Sequence, residues 1–168
     1  NSGDFTVSND FRKVFLLRDP KSGGSAASAN TLRATKAIRF ASSPTPGSFA
    51  VDEEINQAST GAVGKVVEYD STNRILYYIQ TRFNDEGADS NGNITAFSGT
   101  NVVTGQSTSA TGTPDADSDS EVNNVSFTNG YASSELDADQ GDVIYLESRT
   151  PIARASDQSE NVKLIVEF

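Results

Sequence analysis

No cysteine, histidine, methionine or tryptophan occurs among the 168 residues, and each absence removes a class of chemistry. Without cysteine there is neither a disulfide nor a thiolate metal site. Without histidine the chain lacks the commonest general base and the commonest transition-metal ligand, which excludes chymotrypsin-like triads, papain-like dyads and the usual zinc sites. The missing tryptophan removes the largest platform for stacking on sugars. Methionine is absent even from position 1, which reads as a piece or processed product of a longer protein. No apolar run approaches the ~20 residues of a membrane helix and none resembles a signal-peptide core, so no membrane partner is expected.

Positive charge is scarce and unevenly placed. The chain carries 13 basic and 23 acidic side chains, a net charge of -10, which argues against general binding to nucleic acid. Residues 1 to 40 hold seven basic and three acidic side chains, whereas residues 83 to 148 hold twelve acidic and no basic one. Two readings of this asymmetry stand: solvated acidic loops, or a polarised subunit whose acidic side meets a basic neighbour.

What is present is β-prone sequence broken by turn residues. A chain of this length is expected to make one domain with a proper core, burying roughly 70% of its unfolded surface, with two small domains as the alternative. Phe11 to Arg18 contains the run Val14, Phe15, Leu16, Leu17 and reads as a buried strand ended by Asp19-Pro20. Thr31 to Ala41 alternates, with Leu32, Ala34, Lys36 and Ile38 on one face. Arg33, Thr35, Ala37 and Arg39 form the other, a basic face assigned to solvent or an interface. Ser42 to Ser48, with two prolines and a glycine, reads as a linker.

Residues 49 to 106 read as an inserted β-barrel or meander module, with strands at 49 to 55, 62 to 69, 74 to 82 and 93 to 97. The turn Asp70-Ser71-Thr72-Asn73 is the best hairpin signal in the chain. Thr100 to Ser120 has only Val102 and Val103 as large aliphatics and is expected to be a long mobile loop. Asn129-Gly130 is a turn signal, and Ser133 to Asp139 offers a one- or two-turn helix with a serine cap. Asp142 to Leu146 and Val162 to Phe168 are two further strands, joined by a charged linker centred on Pro151. The expected fold is all-β: a β-sandwich, or two small packed β modules joined by long polar loops, with 1 to 41 and 121 to 168 packed together.

Candidate chemistry is thin. Asp115, Asp117, Asp119 and Glu121 alternate like an acidic calcium loop, but Ser120 stands where an EF-hand loop needs glycine and Ser126 where it needs the bidentate glutamate, so a solvated loop is preferred. Asp52, Glu53 and Glu54 offer paired carboxylates, yet such triplets are commonplace on exposed strands. Gly61 to Lys65, GAVGK, lacks the spacing of a phosphate loop. No catalytic residue, cofactor or metal ligand is assigned, and no enzymatic activity is expected. Arg149 beside Pro151 either braces its own loop through Glu147 or pins a neighbouring subunit together with Ile152 and Arg154.

The stretch Gly141 to Phe168, GDVIYLESRTPIARASDQSENVKLIVEF, resembles the carboxyl end of the baseplate wedge subunit of T-even-type contractile phages, the gene product eight family. The matching features are Gly141, Ile144, Tyr145, Glu147, Arg149, Pro151 and Ile152, then Asp157, Gln158, Glu160 and Phe168. Phe11, Arg12, Val14 to Leu17 and Asp19-Pro20 resemble a strand and turn of the same family. The middle, about 42 to 140, departs from that pattern. The resemblance implies a structural virion protein of the tail baseplate, assembled in the bacterial cytoplasm, acting as a homodimer that contacts other baseplate wedge proteins. The alternative is a receptor- or glycan-binding module whose long loops recognise the ligand, with Tyr77, Tyr78 and Tyr131 as stacking residues.

Overall fold

A computed structural model describes residues 12–80, 87–117, 119–138 and 140–149. Every regular element among them is a strand, so the protein is all-β. The first four are β1 (Arg12–Arg18), β2 (Lys21–Ser22), β3 (Ser25–Ala26) and β4 (Lys36–Arg39). β5 (Glu54–Gln57), β6 (Ala62–Asp70), β7 (Ile75–Ile79), β8 (Val103–Gly105) and β9 (Thr111–Gly112) follow. β10 (Glu121–Val122), β11 (Val125–Ser126), β12 (Tyr131–Ala132) and β13 (Asp142–Arg149) complete the order.

The chain divides into two compact units, residues 1–18 with 142–168, and residues 19–141 inserted between them in sequence. In the first unit β1 and β13 pair antiparallel from Arg12↔Arg149 to Arg18↔Asp142, with a bulge between Leu16 and Leu17. The pairing ends where Asp19 takes a left-handed backbone, φ 52°. The strand expected at Val162 to Phe168 lies outside the described residues.

The second unit grows from the β6–β7 hairpin, whose turn closes by local chemistry. Asp70 accepts from the backbone N–H groups of Thr72 (2.9 Å) and Asn73 (3.1 Å) and from the Asn73 side chain (2.7 Å), which fixes the reversal before β7 starts. Along β7 the side chains alternate: Leu76 and Tyr78 enter one cluster, Ile75 and Tyr77 the other. The run ILYYI is apolar throughout because both faces of this strand are covered.

Seven strands join in the order β12-β4-β7-β6-β5-β8-β9. The far edge then returns to the near one. Thr111 and Thr45 exchange both backbone hydrogen bonds (2.8 and 3.0 Å), Ala41 N–H donates to Thr113 and Asp115 N–H donates to Arg39. The sheet therefore curls shut into a barrel around Ile38, Phe40, Phe49, Ile55, Val66, Leu76 and Val103. Phe40 stacks on Phe49 at 5.4 Å, and Phe49 meets Tyr69 edge-on at 5.8 Å. The β10–β11 hairpin turns on Asn123 and Asn124, both left-handed (φ 52° and 58°), as a two-residue type I′ loop requires. Its Val125, with Phe127, covers Ala37, Ile75 and Ala132 on the outer face.

Several expectations change here. The module expected at 49 to 106 is not self-contained, because β4 and β12 from outside that range pair into the same sheet as β6 and β7. The expected strand at 49 to 55 begins only at Glu54, since Asp52 is left-handed (φ 64°). The expected strand at 93 to 97 reduces to one bridge between Ala88 and Ile94. The loop expected over 100 to 120 instead contributes β8 and β9 to the barrel wall, with Val103 and Ala110 fully buried. The helix expected at Ser133 to Asp139 is absent among the described residues. Glu135 caps the N–H of Arg33 and Asp137 those of Gly23 and Gly24, contacts that hold the segment open across the fold.

Candidate functional site

The residues singled out as an interface all fall within the first unit. Arg149 ends β13 opposite Arg12 in the ladder, while Pro151, Ile152 and Arg154 lie outside the described residues. The ribbon itself is the more informative surface. Val143, Ile144 and Leu146 are 59%, 59% and 60% exposed, and consecutive residues of a strand point to opposite faces. Both faces of β13 therefore present aliphatic side chains. A two-stranded ribbon is marginal alone in water, and apolar surface of this kind marks a place of association. Its base is clipped by Arg18 to Asp142 at 2.7 Å, an exposed pair that contributes little energy.

The basic face of the second expected strand is not a solvent face. Arg33 donates to the Ser133 carbonyl at 2.7 Å and to that of Thr35, and lies 3.7 Å from Glu135. Arg39 lies 3.9 Å from Asp115 and donates to Ser120 at 3.2 Å. The positive start of the chain is thus matched by the acidic segment of the same chain. Part of the charge asymmetry is settled inside the molecule, so it is a weaker sign of a basic neighbour than it seemed.

The acidic alternation at 115 to 121 does not converge. Asp115 turns to Arg39 and Asp119 accepts from the Asn129 N–H at 2.8 Å. Among the described residues no three acidic side chains are grouped to hold a metal ion.

Glu53 is a structural carboxylate rather than half of an acid/base pair. It is only 6% exposed, and it accepts from Ala50 N–H (2.7 Å), Ser107 Oγ (2.9 Å), Thr108 N–H (3.1 Å) and Thr108 Oγ1 (3.0 Å). Burial acts to raise its pKa, but the hydrogen bonds from Ala50, Thr108 and Ser107 outweigh it and hold the carboxyl below its usual value. Gly105 lies against it so closely that a Cβ there would sit 2.6 Å from a carboxylate oxygen. Gln57, fully buried, does similar work: it donates to Asn101 O (2.8 Å) and accepts from Ser98 N–H and Thr60 Oγ1 (both 3.0 Å). Gln57→Leu is expected to cost about 2 kcal/mol, since buried partners are left unpaired, measurable by urea unfolding. Neither residue announces this role locally, because Ala50 and Thr60 lie three positions away but the other partners are tens of positions distant.

The tyrosines separate. Tyr77 faces outward beside Asn123, at a hollow lined also by Arg33 and Glu135. Tyr78 and Tyr131 share a second hollow of about 300 Å³ with Lys36, Phe97, Ser126 and Thr128. Tyr78 packs edge-on to Phe97 with ring centres 5.0 Å apart. Gly64 permits this crowding: a Cβ there would lie 2.9 Å from the Ile79 carbonyl oxygen and 3.1 Å from the Tyr78 ring. Tyr131 donates to the Gly99 carbonyl at 2.8 Å. No protein family matches the chain, and neither a curated protein nor a solved structure does.

Proposed function

We propose that this protein is a structural virion protein, a subunit of a contractile phage tail baseplate wedge that holds neighbouring wedge proteins by surface complementarity and without turnover. One observation carries the reading. The two stretches that resemble the family, around 11 to 20 and 141 to 168, are far apart in sequence, yet Arg12–Arg18 and Asp142–Arg149 pair strand to strand in a unit of their own. The middle that departs from the family pattern falls in the other unit. That is the arrangement expected of a shared framework carrying an insertion.

The exposed aliphatic faces of β13 support docking of wedge partners on the ribbon, by burial of Val143, Ile144 and Leu146. Homodimer formation through the same unit belongs to the proposal. Gold-labelled antibody against the barrel unit is expected to mark the baseplate end of purified virions. Label confined to heads, or no label on intact particles, would overturn the assignment. Ile144→Lys is expected to reduce incorporation at least tenfold, while the melting of the barrel, followed by tyrosine fluorescence, stays within about 1 °C.

A further inference from the structure

The hollow at Tyr78 has the make-up of a ligand site that the baseplate reading does not use. Tyr78 is 3% exposed, and among the described residues no group hydrogen-bonds its hydroxyl. The oxygen is not sealed into the core either; the tyrosine hydroxyl enclosed without a partner is that of Tyr69. A buried phenol that lines a hollow and has no hydrogen-bond partner among the described residues is an unusual arrangement, because interior hydroxyls normally find a protein partner. Burial pushes its pKa up, so it remains a proton donor at neutral pH.

Lys36 stands directly across the strand pair from Tyr78, which puts ammonium and phenol on the same face of the sheet. The ammonium donates to Gln80 Oε1 at 2.8 Å and has two further hydrogens to give. Among the described residues it is the one charged group lining the hollow, and no carboxylate lines it. In a chain of net charge -10 such a place stands out, and the repulsion of distant carboxylates is screened beyond ~8 Å at physiological salt. Ser126 and Thr128 add hydroxyls at the rim, and Tyr131, its own hydroxyl tied to Gly99, is a ring held in place. A fixed aromatic ring beside several donors suits the C–H face and hydroxyls of a pyranose, and the volume is at the small end of ligand sites.

We propose that this hollow binds one sugar ring bearing a carboxylate, a hexuronate, with Lys36 on the carboxylate, Tyr78 on a ring hydroxyl and Tyr131 against the ring face. The test is a ¹H–¹⁵N NMR titration of the full chain with glucuronate, with glucose and acetate as separate controls. Saturable shifts at Lys36, Tyr78, Phe97, Thr128 and Tyr131 are expected, with a Kd of about 1 mM for a ligand of this size. Glucose is expected to bind about tenfold or more weakly and acetate not to saturate. Tyr78→Phe deletes a hydroxyl that no group hydrogen-bonds among the described residues, so it should weaken glucuronate binding about two- to tenfold with an unchanged melting temperature. Lys36→Gln should weaken it about tenfold or more and erase the preference over glucose. Acetate binding as well as glucuronate would reduce the site to an anion contact and overturn the proposal. So would glucose equalling glucuronate, titration without saturation, or full binding by both variants.

Discussion

Glu53→Ala is expected to destabilise the barrel unit by about 3–5 kcal/mol, near the upper end for a single substitution. The carboxylate ties the segment before β5 to the β8–β9 turn by accepting from Ala50, Ser107 and Thr108. Truncation leaves those donors facing a void from which water is largely excluded, and each unpaired buried group costs about 1–3 kcal/mol. The protonation state carries a further consequence. The folded pKa is depressed, so the contribution of Glu53 is complete above the unfolded value of about 4.3 and is lost as pH falls through the folded value. Stability of the native chain should therefore fall as the pH drops below about 5. Glu53→Gln should show a shallower decline over the same interval, from a lower starting point. Urea unfolding followed by tyrosine fluorescence at several pH values measures both. Parallel pH profiles for the native chain and Glu53→Gln would show that other carboxylates govern the acid response.

Phe40→Ala is expected to cost about 3–5 kcal/mol as well, by a different mechanism. Phe40 is fully buried at the seam where the barrel closes. Its ring stacks on Phe49 and touches Tyr69 at 6.4 Å between centres, and β9 passes so close that a Cβ on Gly112 would meet the ring at 2.7 Å. Deleting the ring opens a cavity between backbone segments fixed by the Thr45 and Thr111 hydrogen bonds, so collapse into it is limited. The melting temperature of this unit should drop by about 10 °C or more. Phe40→Leu, which keeps most of the volume, should cost no more than about half as much. A loss under about 1 kcal/mol for Phe40→Ala would mean that the seam is not closed as described.

The parts of the fold that could be read from sequence are those specified by neighbours in the chain. The 70–73 reversal was legible because Asp70 and Asn73 make their turn with their own backbone. Asn129-Gly130 was legible for the same reason, both residues being left-handed (φ 51° and 81°) between Thr128 and Tyr131. The segment from 100 to 120 was misjudged because its order comes from elsewhere. A count of large aliphatics misses the burial of Ala110 and the bonds from Ser107 and Thr108 to Glu53, 54 and 55 residues earlier. Arg33 and Arg39 looked like a solvent face because strand alternation says which side a residue takes, not what covers that side. Their partners Glu135 and Asp115 become visible only once the chain has folded back. β1 and β13 were legible as strands, whereas their pairing followed only from their register.

The hollow at Tyr78 illustrates the same limit. The sequence offers Tyr78 and Tyr131 as sugar-stacking residues, but Tyr78, at 3% exposure, is buried too deeply to offer its ring face. Lys36 entered the sequence reading as one position on an alternating strand. Its significance comes from standing opposite Tyr78 with no carboxylate lining the hollow among the described residues.

Light scattering of the protein, mixed with the purified tail proteins of a contractile phage, tests the proposed assignment most directly. A discrete complex with whole-number stoichiometry, containing the chain as a dimer and dissociated by Ile144→Lys, is the expected result. A chain that elutes alone in their presence, at any salt concentration, would contradict it.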